Sequence, residues 1–132
     1  MKKIEAIIRT EKFNQVRSAL DEMGIMGLTS YEVRGRGQQK GLEFTHRAGT
    51  YRVDMLPKTK LEVVVNDKDV DRLIEAICRA ARTGEIGDGK IFVIPVENAI
   101  RIRTGEEGAM ALGDEGFRSM TSATNNALKG GS

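Results

Sequence analysis

The sequence predicts one α+β domain built from two successive β-α-β units. Four short segments are rich in strand-forming residues, and each of the two helical segments lies between a pair of them. The chain has 132 residues, a length that fits one domain and leaves little room for a second. We assign residues 1–112 to this domain and residues 113–132, which are poor in periodic apolar residues, to a flexible tail.

The first unit begins near the amino end of the sequence. Apolar residues alternate over residues 4–8 and predict a strand. A helix is expected next, capped by Thr10 and running to about Met23, because apolar residues recur there at helical spacing. Gly24 ends this helix, and residues 28–34 form the second strand.

The second unit begins with residues 61–65, the clearest strand in the sequence. Asn66 or Asp67 is expected to cap a helix, and residues 91–94 form the strand that follows it. A short extra strand is expected over residues 100–103. The apolar face of the second helix consists of Val70, Leu73, Ile74, Ile77 and Ala81.

Two β-α-β units joined by a long connection predict the ferredoxin-like plan, a four-stranded antiparallel sheet with both helices on one face. The opposite face would carry Val64, Phe92 and Ile94, so it is partly apolar. Small domains that expose an apolar sheet face usually form oligomers. The connection, residues 36–55, is rich in Gly and charge, and loops of this length commonly carry function.

Charge is distributed unevenly, although the net charge is only +2. Residues 34–60 contain seven cationic and two anionic side chains, so this stretch carries +5 and the remainder −3. A cationic segment on a mildly acidic body predicts an anionic ligand or partner near that segment. No uncharged apolar run approaches the roughly 18 residues of a membrane span. Glu5 and Arg9 interrupt any apolar region of an export signal.

Gly84 to Lys90, with the sequence GEIGDGK, matches most of the phosphate-binding pattern G-x-x-x-x-G-K-[ST]. Ile91 stands where that pattern needs a hydroxyl, and the loop leads from a helix into a strand, so it is not the P-loop of an NTPase. Three glycines still allow backbone N–H groups to approach an anion closely. Arg101 and Arg103, on one face of the expected extra strand, add two cations that can grip phosphate. A plain helix-to-strand turn would also explain the glycines.

A second glycine cluster, residues 35–41, has the spacing G-x-G-x-x-x-G with no helix after it, so it is not the dinucleotide-binding fingerprint. Its backbone amides can surround a small carboxylate, and Lys58 can pair with the same group. No catalytic set is evident, because His46 is the only histidine and has no cysteine or ordered acid at motif spacing. Cys78, the single cysteine, excludes an internal disulfide and is expected to be a small core residue.

Four segments resemble the PII family of nitrogen-signalling proteins, across residues 1 to about 112. They are KKIEAIIR at residues 2–9, VRG with Gly37, Gln39, Lys40 and Gly41 at residues 33–41, RTGEIGDGKIFV at residues 82–93, and IRIRTGE at residues 100–106. The last two are the most specific. The resemblance implies a cytoplasmic regulator rather than an enzyme, a homotrimer of ferredoxin-like subunits that binds ATP or ADP in the clefts between subunits.

The resemblance also implies the ligand contacts. The adenine would lie near Ile7, Gly35 and Val64, and the phosphates on the glycine-rich loop. A magnesium ion held by the phosphates and by Gln39 would be chelated by 2-oxoglutarate, and Lys58 would pair with the distal carboxylate of that effector. The implied nucleotide contacts are Ile7, Thr29, Gly35, Gly37, Gln38, Val64, Gly87, Asp88, Gly89, Lys90, Arg101 and Arg103. The implied effector contacts are Gly37, Gln39, Lys40, Gly41, Lys58 and Gly87.

Residues 36–55 correspond to the family's T-loop, which changes shape with ligand and inserts into target proteins. The implied targets are an ammonium transporter, glutamine synthetase, a modifying enzyme or nitrogenase, with no nucleic acid and no direct membrane insertion. Tyr51 matches the tyrosine that some bacterial members have uridylylated. Three positions depart from relatives. Arg36 replaces an aromatic residue, Gln38 replaces an arginine that helps to hold the ATP γ-phosphate, and Gly49 replaces a serine that cyanobacterial members phosphorylate.

Other classes share the predicted element order. An amino-acid-binding regulatory domain of the ACT type is the main alternative, but it would not explain Lys90, Arg101 and Arg103 together. A small ATPase would need a positioned base, which the sequence lacks. An RNA-binding ferredoxin-like module would have only Phe92 as a stacking ring on its strand.

Overall fold

The computed structural model describes residues 1–37, 42–46, 49–53 and 55–113, the two middle ranges by their backbone. In chain order the elements are β1 (Lys2–Ile8), α1 (Phe13–Glu22), β2 (Thr29–Gly35), β3 (Leu42–His46), β4 (Gly49–Val53), β5 (Leu56–Val65), α2 (Val70–Ala81) and β6 (Gly89–Pro95). Short 3-10 turns occupy Thr10–Lys12, Asp67–Asp69 and Gly108–Leu112. One antiparallel sheet has the strand order β2-β5-β1-β6, and β3 pairs with β4 in a separate hairpin.

The helices cover one face of the four-stranded sheet. Along β1 and β5 every second side chain points to that face, and these side chains are almost all apolar. Ile4 of β1 lies opposite Val63 of β5 and Val93 of β6, and both Ile4 and Val63 are buried. Burying one such aliphatic side chain contributes roughly 1.5–3 kcal/mol. The core is aliphatic throughout and consists of Ile4, Ala6, Ile8, Val16, Leu20, Leu61, Val63, Val65, Leu73, Ile77 and Ala81. The predicted α+β, ferredoxin-like fold is therefore confirmed.

The helix starts differ from the prediction. Thr10 does not cap α1, because it opens a 3-10 turn and its hydroxyl oxygen accepts a hydrogen bond from the Thr59 hydroxyl at 3.1 Å. Of the predicted caps, Asn66 precedes a 3-10 turn and Asp67 is its first residue, and α2 begins only at Val70. The predicted end of α1 is confirmed. Gly24 adopts φ +78 there and donates to a carbonyl of the last helical turn at 3.0 Å.

The predicted extra strand over residues 100–103 is wrong. The structure has a single β-bridge between Ile100 and Glu107, with a turn over residues 102–104. The N–H of Gly105 donates to the carbonyl of Arg101 at 2.7 Å, and Gly105 has φ +75. The chain reverses here, because a glycine at positive φ allows a tight turn. The alternation of isoleucine and arginine had suggested an extended strand instead.

The long connection contains the β3–β4 hairpin, which the sequence analysis treated as loop, and β5 begins five residues before its predicted start. Gln38, Gln39, Lys40 and Gly41, which were expected to contact ligands, lie outside the described residues, as do tail residues 114–132. His46 is the last residue of β3, and Tyr51 is in β4. Within the described ranges, no helix has the length and hydropathy needed to cross a bilayer.

The sheet face away from the helices is only partly apolar, as predicted, since Phe92 and Ile94 occupy the edge strand β6 on that face. The two central strands carry a charged cluster that was not predicted. Lys3 Nζ lies 2.8 Å from Glu5 Oε1, and Lys60 Nζ lies 3.5 Å from Glu5 Oε2. The hydrogen bond from Lys3 is the main cause that lowers the pKa of Glu5. This face is therefore charged at its centre and apolar along one edge.

Candidate functional site

The glycine loop, residues 83–89, connects α2 to β6 and folds around the carboxylate of Asp88. The N–H groups of Thr83 and Gly84 donate to Oδ2 at 2.9 and 2.8 Å, and the Thr83 hydroxyl donates to Oδ1. Arg9 Nε, just past β1, donates to Oδ1 at 3.1 Å. The Thr83 hydroxyl above all, then the two N–H groups and Arg9, hold the pKa of Asp88 well below its usual range, against the opposing effect of desolvation. The carboxylate is therefore ionised at neutral pH.

Two positions of the glycine loop require glycine. Gly87 has φ +102 and Gly89 has φ +109, which L side chains rarely adopt. At Gly89, a Cβ atom would also lie 1.8 Å from the carbonyl oxygen of Ile7. The loop backbone therefore packs directly against β1, and no larger residue fits at position 89 without displacing the strand.

Lys58 on β5 contacts the glycine loop from the open face of the sheet. Its Nζ donates to the carbonyl oxygen of Gly87 at 2.6 Å, and the side chain is half-buried. Burial first, and then the charge of Arg9, lower the pKa of Lys58, while Glu11 and Asp88 oppose this effect. Within the described part of the chain, no carboxylate forms an ion pair with Lys58. The site thus holds a partly desolvated cation whose charge is available to an anion.

Strand register brings several of the predicted site residues to one end of the sheet. Ile7 lies opposite Lys90 of β6, with Gly89 one residue away. Gly35 lies opposite Leu56, two residues before Lys58. Lys90 is exposed beside the glycine loop. Backbone amides, one exposed lysine and one half-buried lysine therefore converge here, an arrangement suited to an anion that carries more than one negative group.

Two residues predicted to contact the nucleotide lie elsewhere on the same face. Val64 lies opposite Lys3, and Thr29 lies opposite Glu62. Ile7 pairs with Lys60, so it is four residues, or about 13 Å along the strand, from Val64. Within a single chain, Ile7 and Val64 therefore lie toward opposite ends of the β1–β5 pair.

The two predicted phosphate-binding arginines are also separated from the glycine loop along the chain. They follow Pro95, which is the last residue of β6. Pro95 lies about 20 Å along the strand from Gly89, the first residue of β6. Arg101 Nη2 donates to the carbonyl of Met110 at 3.1 Å, and Nη1 lies 3.6 Å from Glu106 Oε1. Arg103 is exposed on the intervening turn. The two arginines therefore differ, since Arg101 has contacts within its own turn and Arg103 projects into solvent.

Arg9 and Thr83 were not predicted as site residues. Their role depends on the Arg9–Asp88 contact, which joins residues 79 positions apart, and no local pattern encodes such a contact. The only available signal was their presence in the two segments KKIEAIIR and RTGEIGDGK that support the family resemblance.

Gln39, the implied magnesium ligand, lies outside the described residues. Among the residues that the structure does describe, no group of three or more His, Cys, Asp or Glu side chains could hold a metal ion. A magnesium ion at this site would therefore depend on phosphate oxygens of a bound nucleotide together with an amide oxygen. Such an all-oxygen donor set suits this cation.

The sequence is similar to nitrogen regulatory proteins over most of its length. The family model described as Nitrogen regulatory protein P-II matches residues 1–106. Nitrogen regulatory protein P-II 2 of Methanothermobacter thermautotrophicus is 54% identical over 112 residues, which cover 85% of this chain and 97% of that relative. Nitrogen regulatory protein P-II of Haemophilus influenzae is 59% identical over 112 residues, which cover 85% of this chain and 100% of that relative.

A solved structure shows the same likeness in three dimensions. The PII protein of Arabidopsis thaliana, determined with citrate bound, superposes with a TM-score of 0.69 at 45% sequence identity. The match covers 83% of this chain and 90% of that one. The family and the relatives carry the names of regulators, and none of these names is that of an enzyme.

Proposed function

The chain belongs to the nitrogen regulatory protein P-II family, and from this premise we propose that it is a sensor that binds ATP or ADP together with 2-oxoglutarate. The observation that carries this proposal is the glycine loop with Lys58 beside it. The loop is held by its own hydrogen bonds to Asp88, and the half-buried Lys58 ammonium has only a carbonyl as its partner in the described residues. A preorganised group of backbone amides next to such a cation favours an anionic ligand.

The nucleotide phosphates would bind the backbone of residues 87–90 and the ammonium of Lys90. Gly87 and Gly89 carry no side chain that could block this approach, and Lys90 is exposed. Charge-assisted hydrogen bonds to phosphate are about twice as strong as neutral ones, so a few of them supply much of the affinity.

The effector would bind next to the phosphates, with its distal carboxylate on Lys58. Gly37, Gln39, Lys40 and Gly41 would surround the rest of it, and Gln39 would share the magnesium ion with the nucleotide phosphates. The Arabidopsis thaliana relative was determined with citrate bound, which supports a carboxylate-binding role for this fold. We therefore place 2-oxoglutarate, a dicarboxylate, at this position.

The active form would be a homotrimer, because the proposed nucleotide contacts are divided between distant parts of one chain. Ile7 and the glycine loop lie at one end of the sheet, whereas Val64 lies far along it and the Arg101–Arg103 turn follows the other end of β6 in the chain. A neighbouring subunit would complete each site. The edge strand β6 supports this arrangement, since Phe92 and Val93 are 44% and 45% exposed there and an apolar edge is rarely left uncovered.

The regulated partner would bind through the T-loop, residues 36–55. We propose an ammonium transporter, glutamine synthetase, a modifying enzyme or nitrogenase as the target, and Tyr51 as the position open to uridylylation. The protein would act in the cytoplasm and would not bind nucleic acid.

Residues 1–112 would form the P-II domain and residues 113–132 an extension of it. The reason is that the relatives match over 112 residues, which are 97–100% of their own length. The ACT-type alternative has no support from the family match.

Isothermal titration calorimetry tests the sensor mechanism. 2-Oxoglutarate is titrated into the full chain with Mg-ATP, with Mg-ADP and with Mg2+ alone. Binding should be strong with Mg-ATP, weaker with Mg-ADP and absent without nucleotide, because the nucleotide supplies part of the metal site. By linkage, 2-oxoglutarate must tighten ATP binding by the same factor. Equal affinity for 2-oxoglutarate under all three conditions would rule out this mechanism.

A further inference from the structure

The backbone amides of the glycine loop fall into two groups. The N–H groups of Thr83 and Gly84 donate to Asp88 Oδ2, and the N–H of Glu85 donates to the Thr83 hydroxyl at 3.1 Å. These three amides are used inside the loop. The next two, from Ile86 and Gly87, donate to no other group in the described part of the chain, and the Asp88 N–H closes a turn over residues 86–87. We call the three amides that donate within the loop inward and those that have no acceptor there outward. The inward amides are the ones held by Asp88 and Thr83.

We propose that Asp88 is a positioning residue of the phosphate site, whose carboxylate holds the first three amides inward and thereby leaves the amides of Ile86 and Gly87 for the nucleotide phosphates. The inference rests on the proposed nucleotide site and assigns one of its residues a distinct role. The phosphates would meet the N–H groups of Ile86 and Gly87, while the Asp88 side chain acts through Thr83 and Gly84. No phosphate oxygen would touch the carboxylate.

The geometry supports an indirect role for the carboxylate. Both oxygens already accept hydrogen bonds, from the two N–H groups at 2.9 and 2.8 Å, from the Thr83 hydroxyl and from Arg9 at 3.1 Å. A phosphate would also be repelled by an ionised carboxylate, and these donors keep the pKa of Asp88 low. The side chain can therefore shape the loop but cannot serve as a phosphate ligand.

Arg9 attaches this arrangement to the sheet. Its Nε donates to Asp88, and its Nη2 donates to the carbonyl of Ile86 at 2.8 Å, so one guanidinium holds both the carboxylate and the loop backbone. It also offsets the negative charge of Asp88 near the place where phosphates would bind. Because Arg9 directly follows β1, the outward amides are held at a constant position relative to Lys58 and Lys90.

The test compares Asp88→Asn with Glu85→Gln in the full-length protein. Both variants remove one negative charge from the same loop, but Glu85 is exposed and its side chain has no contact in the described residues. An asparagine has a single acceptor oxygen, so it cannot receive all four hydrogen bonds, and its NH2 group would face another donor. The probes are ATP and inorganic tripolyphosphate, titrated by calorimetry.

We expect Asp88→Asn to lower the affinity for both probes by about tenfold or more, and by a similar factor, because only phosphate contacts are lost. Glu85→Gln should bind as well as the parent or slightly better, since removing a negative charge favours a polyanion. If Asp88→Asn bound either probe as tightly as the parent, the positioning role would be refuted. An equal gain in both variants would show that Asp88 acts only by its charge.

Nuclear magnetic resonance of the unliganded proteins gives a second readout. In Asp88→Asn the amide proton signals of Thr83 and Gly84 should move, while those of Ile4 and Val63 in the core stay in place. Unmoved signals at Thr83 and Gly84, or a change throughout the core, would contradict the proposal. Should the parent bind neither probe, the nucleotide site would be wrong, while these spectra would still decide whether Asp88 orders the loop.

Thr83→Val tests the same inference with a milder change if Asp88→Asn does not fold. Valine keeps the shape of threonine and the backbone N–H but removes the hydroxyl that donates to Asp88 and accepts from Glu85. Losing these bonds should lower tripolyphosphate affinity by several-fold. Unchanged affinity in this variant would overturn the proposal.

Discussion

Lys58 and Gly87 are joined by a hydrogen bond of 2.6 Å, in which the ammonium of β5 donates to a carbonyl of the glycine loop. The bond links the proposed effector cation to the proposed phosphate loop within one subunit. Since burial lowers the pKa of Lys58, the folded protein holds this charge at some cost. Such a charge is expected where an anion later compensates it.

Lys58→Met should separate ligand binding from stability. The neutral side chain relieves the burial of a charge, so the free energy of unfolding should change by no more than about 1 kcal/mol, while the affinity for 2-oxoglutarate with Mg-ATP falls about tenfold or more. Lys60→Met is the matched control, two residues away on the same face, where the lysine pairs with Glu5. Urea unfolding and calorimetry measure the two effects. A control that lost effector affinity to the same degree would contradict a specific role for Lys58.

Gly89→Ala should destabilise the protein. The left-handed conformation alone costs an L-residue roughly 1–2 kcal/mol, and the new Cβ would meet the Ile7 carbonyl oxygen at 1.8 Å. Gly27→Ala is the control, because a Cβ there meets nothing within 4 Å. Thermal unfolding should show a lower midpoint for Gly89→Ala and little change for Gly27→Ala. Equal midpoints would mean that β1 and the loop are not packed as described.

Asp88 should make the protein sensitive to acid. Its pKa in the folded state lies below the ordinary value of 3.8, so the folded state binds fewer protons than the unfolded state near that pH. The stabilisation by Asp88 is therefore complete above about pH 5 and is lost progressively as the pH falls below the ordinary pKa toward the much lower pKa of the folded state. Urea unfolding of the parent and of Asp88→Asn at pH 7, 5 and 3 should show a difference in stability that shrinks with acidification. A difference that stayed constant would refute this assignment.

Arg101→Ala and Arg103→Ala should both weaken ATP binding, but for different reasons. Each would lose one of the proposed charge-assisted phosphate contacts, which is worth about tenfold in affinity. Only Arg101 also holds its own turn through Met110 and Glu106, so hydrogen exchange at Gly108 should accelerate in Arg101→Ala alone. If both variants bound ATP like the parent, the turn would not belong to the nucleotide site.

Local sequence patterns were sufficient to predict much of the candidate site. The glycines and Lys90 were found because glycine spacing and charge are properties of neighbouring residues. Arg9 was not found, because its contact with Asp88 joins residues 79 positions apart. The charged cluster around Glu5 was missed for the same reason, since it forms only when β1 and β5 are placed side by side.

The sequence by itself determined the order of the two helices and of the four strands in the main sheet, and the aliphatic core, because side-chain periodicity is set by the geometry of each element. Only the tertiary structure decided where the functional residues meet. Strand register puts Lys58 and Gly89 at one end of the sheet and Val64 toward the other, and a tight turn replaces the strand expected at residues 100–103. Register and chain reversal depend on contacts between residues distant in sequence, which a periodic pattern does not contain.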